Sequence, residues 1–223
     1  MKLLVIGSGG REHALAWRFS QGARIQKVYV APGNAGTSLE NCLENVLLEN
    51  IDELLAFAQR EKIYLTVVGP EAPLAAGVVD AFRKAGMKIF GPTKAAAQLE
   101  SSKDFAKRFM TRHNIPTAFF ETFSDIVPAH AYVNKHGAPI VIKADGLAAG
   151  KGVVVAMTVD EAHQAIDMML DDNKLGNAGA RVVIEEFLAG EEASFIVMVD
   201  GKHVLPLATS QDHKRLLDGD LGP

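Results

Sequence analysis

The chain has 223 residues, 48% of them hydrophobic and 22% charged, with 20 glycines and a formal charge of −4. That is enough apolar material for one large or two small cores and excludes a disordered chain. The acidic balance offers no blanket of positive potential for nucleic acid, although a small anion can still bind in a locally basic cleft. The single cysteine, Cys42, has no partner for an internal disulfide and is expected as a small packed residue. No secretory leader is expected, and no run approaches about 18 apolar residues, so no membrane partner is expected and a reducing cytoplasm fits best.

In chain order, the apolar runs KLLVIG, KVYVAPG, YLTVVGPE and KIFGP alternate with helix-like segments near 11–21, 51–61 and 73–85. This rhythm predicts βαβ units and a parallel sheet covered by helices, ending near Pro92. Ile51, Leu54, Leu55 and Ala58 recur at helical spacing, with Glu53, Gln59 and Arg60 mostly opposite, which marks a core-facing stripe. Trp17, inside the first helix, is expected in the core.

After FGPT the texture changes. KAAAQLE and SKDFAKRFMTRH read as helices and NIPTAFFETFS as a strand, so a domain boundary is placed near residues 92 to 101. Beyond it come a helix around 124–136, the strand PIVIKAD, the glycine-rich loop GLAAGKG, the strand VVVAM, and a helix opened by Thr158 with Glu161 at capping-box spacing. RVVIEEF and ASFIVMVDGKHVLPLAT read as strands, the second folded into a hairpin at Asp200-Gly201. This region is mixed α+β, and its ending in the loop DGDLGP with no closing element reads as a fragment of a longer protein.

Several stretches carry chemistry. In GSGGREHA, Gly7 and Gly9 fit the dinucleotide fingerprint, but its third glycine is replaced by Glu12, and the second strand ends in Ala31-Pro32-Gly33 without an acid for a ribose. NAD is therefore disfavoured. What remains is a glycine turn at a helix N-terminus, Gly9 and Gly10 with Arg11 beside them, which suits a phosphate or other small anion; a tight turn with no ligand is the alternative. Glu71, in GPEAPL, closes a strand where α/β sheets bind ligands, and it either holds a ribose hydroxyl or an amine or caps the next helix.

VIKADGLAAGKGVVV places Lys143 near a strand end, then Gly146, Gly150, Lys151 and Gly152 in a loop, then another strand. Flexible backbone donors with two lysines suit a triphosphate, though a glycine hairpin with solvated lysines has the same pattern. In VIEEFLAGEEASF a strand enters an acidic run, and acids form strands poorly. Backbone groups of Glu186 to Leu188 suit an adenine edge, Leu188 its ring and a later carboxylate the ribose; the alternative is a solvated turn. Asp212, His213, Lys214 and Arg215 mark either a polar substrate site or a surface loop.

These motifs, in order and over the whole chain, resemble the glycinamide ribonucleotide synthetase (phosphoribosylamine–glycine ligase) family of the ATP-grasp superfamily. The resemblance implies an amino-terminal parallel-sheet pre-ATP-grasp α/β domain at 1–100, then an incomplete α+β ATP-grasp domain at 101–223 with a lid subdomain about 116–190. It implies a reaction that joins glycine to 5-phosphoribosylamine through glycyl phosphate in purine biosynthesis, with ATP and Mg²⁺ or Mn²⁺ in the full-length protein, no nucleic acid or membrane partner, and a monomer. It further implies that Lys103 and Lys143 hold the ATP phosphates, that loop 146–152 covers them, that Glu185, Glu186 and Leu188 lie beside adenine, and that Glu192 takes the ribose. By the same resemblance Lys214 is a later phosphate-side cation, Asp212 and Arg215 face the substrates, and Gly9, Gly10, Arg11 and Glu71 help hold phosphoribosylamine. The alternatives are another ATP-grasp carboxylate–amine ligase and a nucleotide-binding module without catalysis. In that family the metal ligands follow the last residue present, so the 223-residue chain alone is expected to release little or no phosphate from ATP with glycine and phosphoribosylamine, whereas a full-length chain does; appreciable turnover by the chain alone refutes this.

Overall fold

The computed structural model describes residues 1–146, 152–170, 180–211 and 213. The chain divides into two units, Met1–Glu186 and Phe187–Pro223.

The first unit opens with strands β1 (Lys2–Gly7), β2 (Lys27–Pro32), β3 (Leu43–Asn45), β4 (Leu65–Val68) and β5 (Ile89–Phe90). They form a wholly parallel sheet in the order β3-β2-β1-β4-β5. Helices α1 (Gly10–Ser20), α2 (Ala35–Ser38), α3 (Ile51–Arg60), α4 (Glu71–Ala76) and α5 (Val78–Lys84) connect them. Leu4 and Ile6 of β1 pack with Leu54, Phe57, Val78 and Phe82 on one face, while Leu3 and Val5 pack with Ala16, Val28, Val30 and Leu43 on the other. Burial on both faces is why these strands read as unbroken apolar runs rather than alternating ones.

Three details depart from the sequence reading. The segment 73–85 is not one helix, because Gly77 at φ +98° ends α4 and begins α5. Trp17 is 47% exposed. The buried residues of α1 are Glu12 and Ala16, so the helix docks by a small residue and the neighbouring indole, one helical step round, faces outward. Cys42 is likewise exposed, just before the short strand β3.

Helices α6 (Lys94–Ser101) and α7 (Lys103–Arg112) follow, divided at Ser102, whose Oγ accepts from Phe105 N at 3.1 Å and caps α7. Strands β6 (Phe120–Phe123), β7 (Ile140–Ala144), β8 (Val153–Ala156) and β9 (Val182–Glu186) then form an antiparallel sheet in the order β6-β9-β7-β8. Helices α8 (Ile126–His136) and α9 (Val159–Leu170) cover one face. Ile140, Ile142, Ala144, Val182 and Ile184 point into that layer, against Ala129, Val133, Ala162, Ile166 and Met169. The period of two along a strand therefore sends Val141, Lys143, Val183 and Glu185 to the opposite face. The expected capping box forms at α9, where Glu161 N donates to Thr158 Oγ1 at 3.2 Å and Thr158 N to Glu161 Oε2 at 3.2 Å. Between the two helices the His130 and His163 rings stack at 4.2 Å, His130 bonding Asp167 and His163 bonding Asn134.

The second unit contains the hairpin β10 (Val197–Val199) and β11 (Val204–Pro206). Its turn is the four-residue segment 200–203, with Gly201 at φ +95°. Asp200 Oδ1 accepts from Lys202 N and His203 N at 2.9 and 2.7 Å. Hydrogen bonds from the His203 side chain, then from the His203 and Lys202 backbone, hold the Asp200 carboxyl down to about 2. Among the described residues no helix is long and apolar enough to cross a membrane.

Ile142 is fully buried at the centre of the second sheet. Ile142→Ala is expected to destabilise the chain by about 3 kcal/mol, seen as a lower midpoint in urea unfolding followed by circular dichroism.

Candidate functional site

The face of the second sheet away from α8 and α9 carries a cluster of charge. Lys143 on β7 lies diagonally across from Glu185 on β9, because Val141 pairs with Glu185 and Lys143 with Val183. Lys143 Nζ approaches Glu185 Oε1 at 3.1 Å, and Lys107 Nζ, from α7, approaches Glu185 Oε2 at 2.8 Å. Lys103, at the start of α7, donates from Nζ to Gly146 O at 3.2 Å. Burial pushes the Lys103 amine below its ordinary range; the nearby Lys143 charge adds to this and Asp145 opposes it. The base of the glycine loop is joined by Ala144 N to Gly152 O at 2.8 Å.

Asp145 ties the two lysine-bearing elements together. Its Oδ1 accepts from Ser102 Oγ at 3.0 Å and Asp104 N at 2.8 Å, its carbonyl accepts from Lys103 N at 3.2 Å, and its Oδ2 is held closely by Arg181. The N-terminus of α7 is thus fastened to the end of β7, and Lys103 and Lys143 come from one rigid frame. This arrangement can grip an oxyanion with two ammonium groups at a partly desolvated surface.

A second site lies where the order of the parallel sheet reverses, at the carboxyl ends of β1 and β4. A cleft of about 410 Å³ is lined there by Gly7, Gly9, Arg11, Glu12, Pro32 and Pro70, among others. Glu12, on the first turn of α1, is buried, and its Oε2 accepts from Gly9 N at 2.7 Å. Its Oε1 has no hydrogen-bond partner among the described residues, with Arg11 Nε 4.0 Å away. Glycines make the room: a Cβ on Gly7 or Gly69 would overlap the Glu12 side chain, and one on Gly9 would stand 2.8 Å from Oε2. The glutamate that breaks the dinucleotide fingerprint therefore fills the turn itself, taking the Gly9 donor and leaving the Gly10 and Arg11 N–H groups of the first helical turn for an outside anion. Arg11 Nη2 meets Glu71 Oε1 at 3.1 Å. Glu71 is the first residue of α4, and a hydrogen bond from its own backbone N–H, then the Arg11 side chain, hold its carboxyl below the usual range.

Two groups of the candidate residues come together: Lys103, Lys143, Gly146, Gly152 and Glu185 in one, and Gly9, Gly10, Arg11 and Glu71 in the other. Glu186 uses its N–H in the sheet, donating to Phe119 O at 3.0 Å, and its Oε2 accepts from Phe119 N at 3.3 Å. That N–H is not free to read an adenine edge. Leu188 and Glu192 are exposed residues of the second unit. Gly150, Lys151, Asp212, Lys214 and Arg215 lie outside the described residues. The sequence reading missed Lys107, Asp145 and Arg181. Lys107 was accessible from its position four residues after Lys103, on the same helical face; Asp145 and Arg181 carry no local signal. Among the described residues no group of three or more His, Cys, Asp or Glu is placed to hold a metal ion.

The parallel sheet with a glycine turn at its switch point and the antiparallel sheet that follows belong to a protein of ATP-grasp type, because the second half matches an ATP-grasp domain. Residues 1–100 match the N domain of phosphoribosylglycinamide synthetase, and residues 101–223 match its ATP-grasp (A) domain. The chain belongs to this family. It is 71% identical over its whole length to a phosphoribosylamine–glycine ligase of Ralstonia nicotianae, of which it covers 53%, and 72% identical to that of Neisseria meningitidis serogroup A, of which it covers 52%. The crystal structure of the Thermotoga maritima phosphoribosylamine–glycine ligase superposes with a TM-score of 0.83 at 35% identity, covering 100% of this chain and 53% of that one. The chain thus spans about half the length of the curated relatives it matches.

The packing of Glu12 against Gly69 yields a coupling test. Gly69→Ala is expected to destabilise by about 2 kcal/mol through overlap, and by much less in a Glu12→Ala background, so a double-mutant cycle of denaturation free energies is strongly non-additive.

Proposed function

We propose that the chain supplies the sugar-phosphate site and most of the nucleotide site of an ATP-dependent carboxylate–amine ligase that joins glycine to 5-phosphoribosylamine. The observation that carries this reading is the placement of Lys103, at the start of α7, and Lys143, on β7, by one frame around Asp145, in a chain of this family. Lys103 and Lys143 hold the ATP phosphates, and the loop from Gly146 to Gly152, with Gly150 and Lys151, covers them. Adenine meets main-chain groups from Glu186 to Leu188, the Glu185 side chain being committed to two lysines. Glu192 takes the ribose, and Asp212, Lys214 and Arg215 lie on the substrate side. Gly10 and Arg11 receive the phosphate of phosphoribosylamine, with Gly9 shaping the turn, and Glu71 meets its ribose once Arg11 turns to the phosphate. That exchange costs little because the Arg11–Glu71 pair is largely exposed.

The chemistry proceeds in two steps. A carboxylate oxygen of glycine attacks the γ-phosphorus of ATP, the bond to the β-phosphate oxygen breaks, and ADP leaves with glycyl phosphate formed. The amine of phosphoribosylamine then attacks the acyl carbon, loses a proton and expels inorganic phosphate, leaving the amide. Cations near the phosphates offset the charge of bringing two anions together, and no side-chain nucleophile is required. A divalent cation, Mg²⁺ or Mn²⁺, accompanies the nucleotide in this reading. A monomer working in the cytoplasm completes the proposal.

Titration of the chain with ATP tests the nucleotide site: Lys143→Ala is expected to weaken binding by about tenfold or more, and equal affinities would remove Lys143 from it. With Lys103 pushed below its ordinary range of about 10.4, ATP affinity is expected to decline on raising the pH before that range is reached, as the amine loses its proton. Lys103→Arg, always charged, removes that decline. In a chain of the relatives' full length, Arg11→Ala is expected to raise KM for phosphoribosylamine several-fold with KM for ATP nearly unchanged; the reverse pattern refutes the assignment of the glycine turn.

A further inference from the structure

Lys107 is the one buried cation among the described residues, and the nucleotide site as read above gives it no contact with a ligand. Its Nζ approaches Glu185 Oε2 and donates to Thr117 Oγ1, each at 2.8 Å, and to Ala118 O at 3.3 Å. All three ammonium protons are therefore taken within the fold. Removing a charge from water is costly unless it is fully paired, and this one is paired three times over. The Phe120 ring, 5.7 Å from Nζ, closes the site further.

The consequence falls on Lys143. Glu185 has two oxygens and gives one to each lysine, with side-chain exposures of 8% for Lys107, 7% for Glu185 and 27% for Lys143. The three groups carry one net positive charge, and Lys143 is the member that faces solvent. Without Lys107, both oxygens and the whole negative charge of Glu185 would fall to Lys143, producing a neutral pair with its ammonium drawn to the sheet. We propose that Lys107 is a positioning residue: by holding one oxygen of Glu185 it limits that carboxylate's grip on Lys143 and keeps the cluster's net positive charge turned toward a nucleoside triphosphate. The proposal rests on the reading of Lys143 as a phosphate-binding lysine. Lys107 acts through Glu185 and touches neither nucleotide nor substrate.

The test uses Lys107→Met, which keeps an unbranched side chain and removes the charge, with Lys107→Arg as the conservative rescue. Three results are expected of the Met variant. ATP affinity falls by about tenfold with a flatter dependence on ionic strength, as expected for a lost coupling within one charge network. Adenosine, which has no phosphate, binds as before. Lys143, followed by mass spectrometry after brief treatment with an amine-acylating reagent, is modified several-fold more slowly, and Lys107→Arg returns all three readings toward wild type. Unchanged ATP affinity, an equal loss of ATP and adenosine, or an unchanged acylation rate at Lys143 overturns the proposal. Should the Met variant fail to fold, Glu185→Gln reads the same linkage in the other direction: Lys143 is acylated faster, and an unchanged rate overturns it. Equal ATP binding by wild type and Lys143→Ala overturns the nucleotide reading itself, a result distinct from any that the Lys107 variants give.

Discussion

A carboxylate fixed inside the fold is the feature on which both candidate sites depend. Glu185 stands behind Lys143 and Asp145 behind Arg181, each acid buried and its cation more exposed, while at the glycine turn the buried Glu12 takes the Gly9 N–H and Arg11 pairs with the more exposed Glu71. Long cationic side chains lose much rotamer freedom when a ligand fixes them. A buried acid incurs part of that loss during folding, so the cation meets an anion already oriented. The acids are themselves held by backbone donors or by a second cation, as Gly9 N–H holds Glu12 and Lys107 holds Glu185.

The two sheets solve the placement of these acids differently. In the parallel sheet both faces are covered, so the site lies at the strand ends, and the room for Glu12 comes from missing side chains at Gly7, Gly9 and Gly69. In the antiparallel sheet α8 and α9 cover one face, and on the other Val141, Val183 and Glu185 are still buried, with Lys107 of α7 against Glu185. The site lies on that second face where Lys143 reaches solvent, and alternate residues of β7 and β9 reach it. Ile142 and Lys143 are neighbours in sequence, yet one anchors the core and the other faces the candidate ligand.

Much of this was legible in the sequence. The βαβ rhythm, the α+β second half, the Thr158–Glu161 box and the hairpin at Asp200-Gly201 follow from periodicity and turn chemistry acting over a few residues. What escaped was decided by tertiary packing. The three-residue strand β3 has too few side chains to form a pattern and exists because β2 offers an edge. Trp17 faces outward because Ala16 makes the close contact, a choice between adjacent residues that composition does not reveal. At the sites, Lys143 and Arg11 were visible as cations beside glycines and Lys103 only through the family resemblance, whereas the roles of Lys107 and Glu12 depend on partners that tertiary packing brings close. Glu12 was seen as the residue that spoils a fingerprint, and only the geometry shows that it occupies the turn.

The stacked imidazoles of His130 and His163 bear on how the second sheet deforms. They fasten α8 to α9, with His130 bonding Asp167 and His163 bonding Asn134, while the aliphatic layer fastens both helices to the sheet. Helices tied to each other as well as to the strands shift together, as one layer, rather than sliding singly. A ligand drawing on Lys143 therefore pulls against a strand backed by two linked helices.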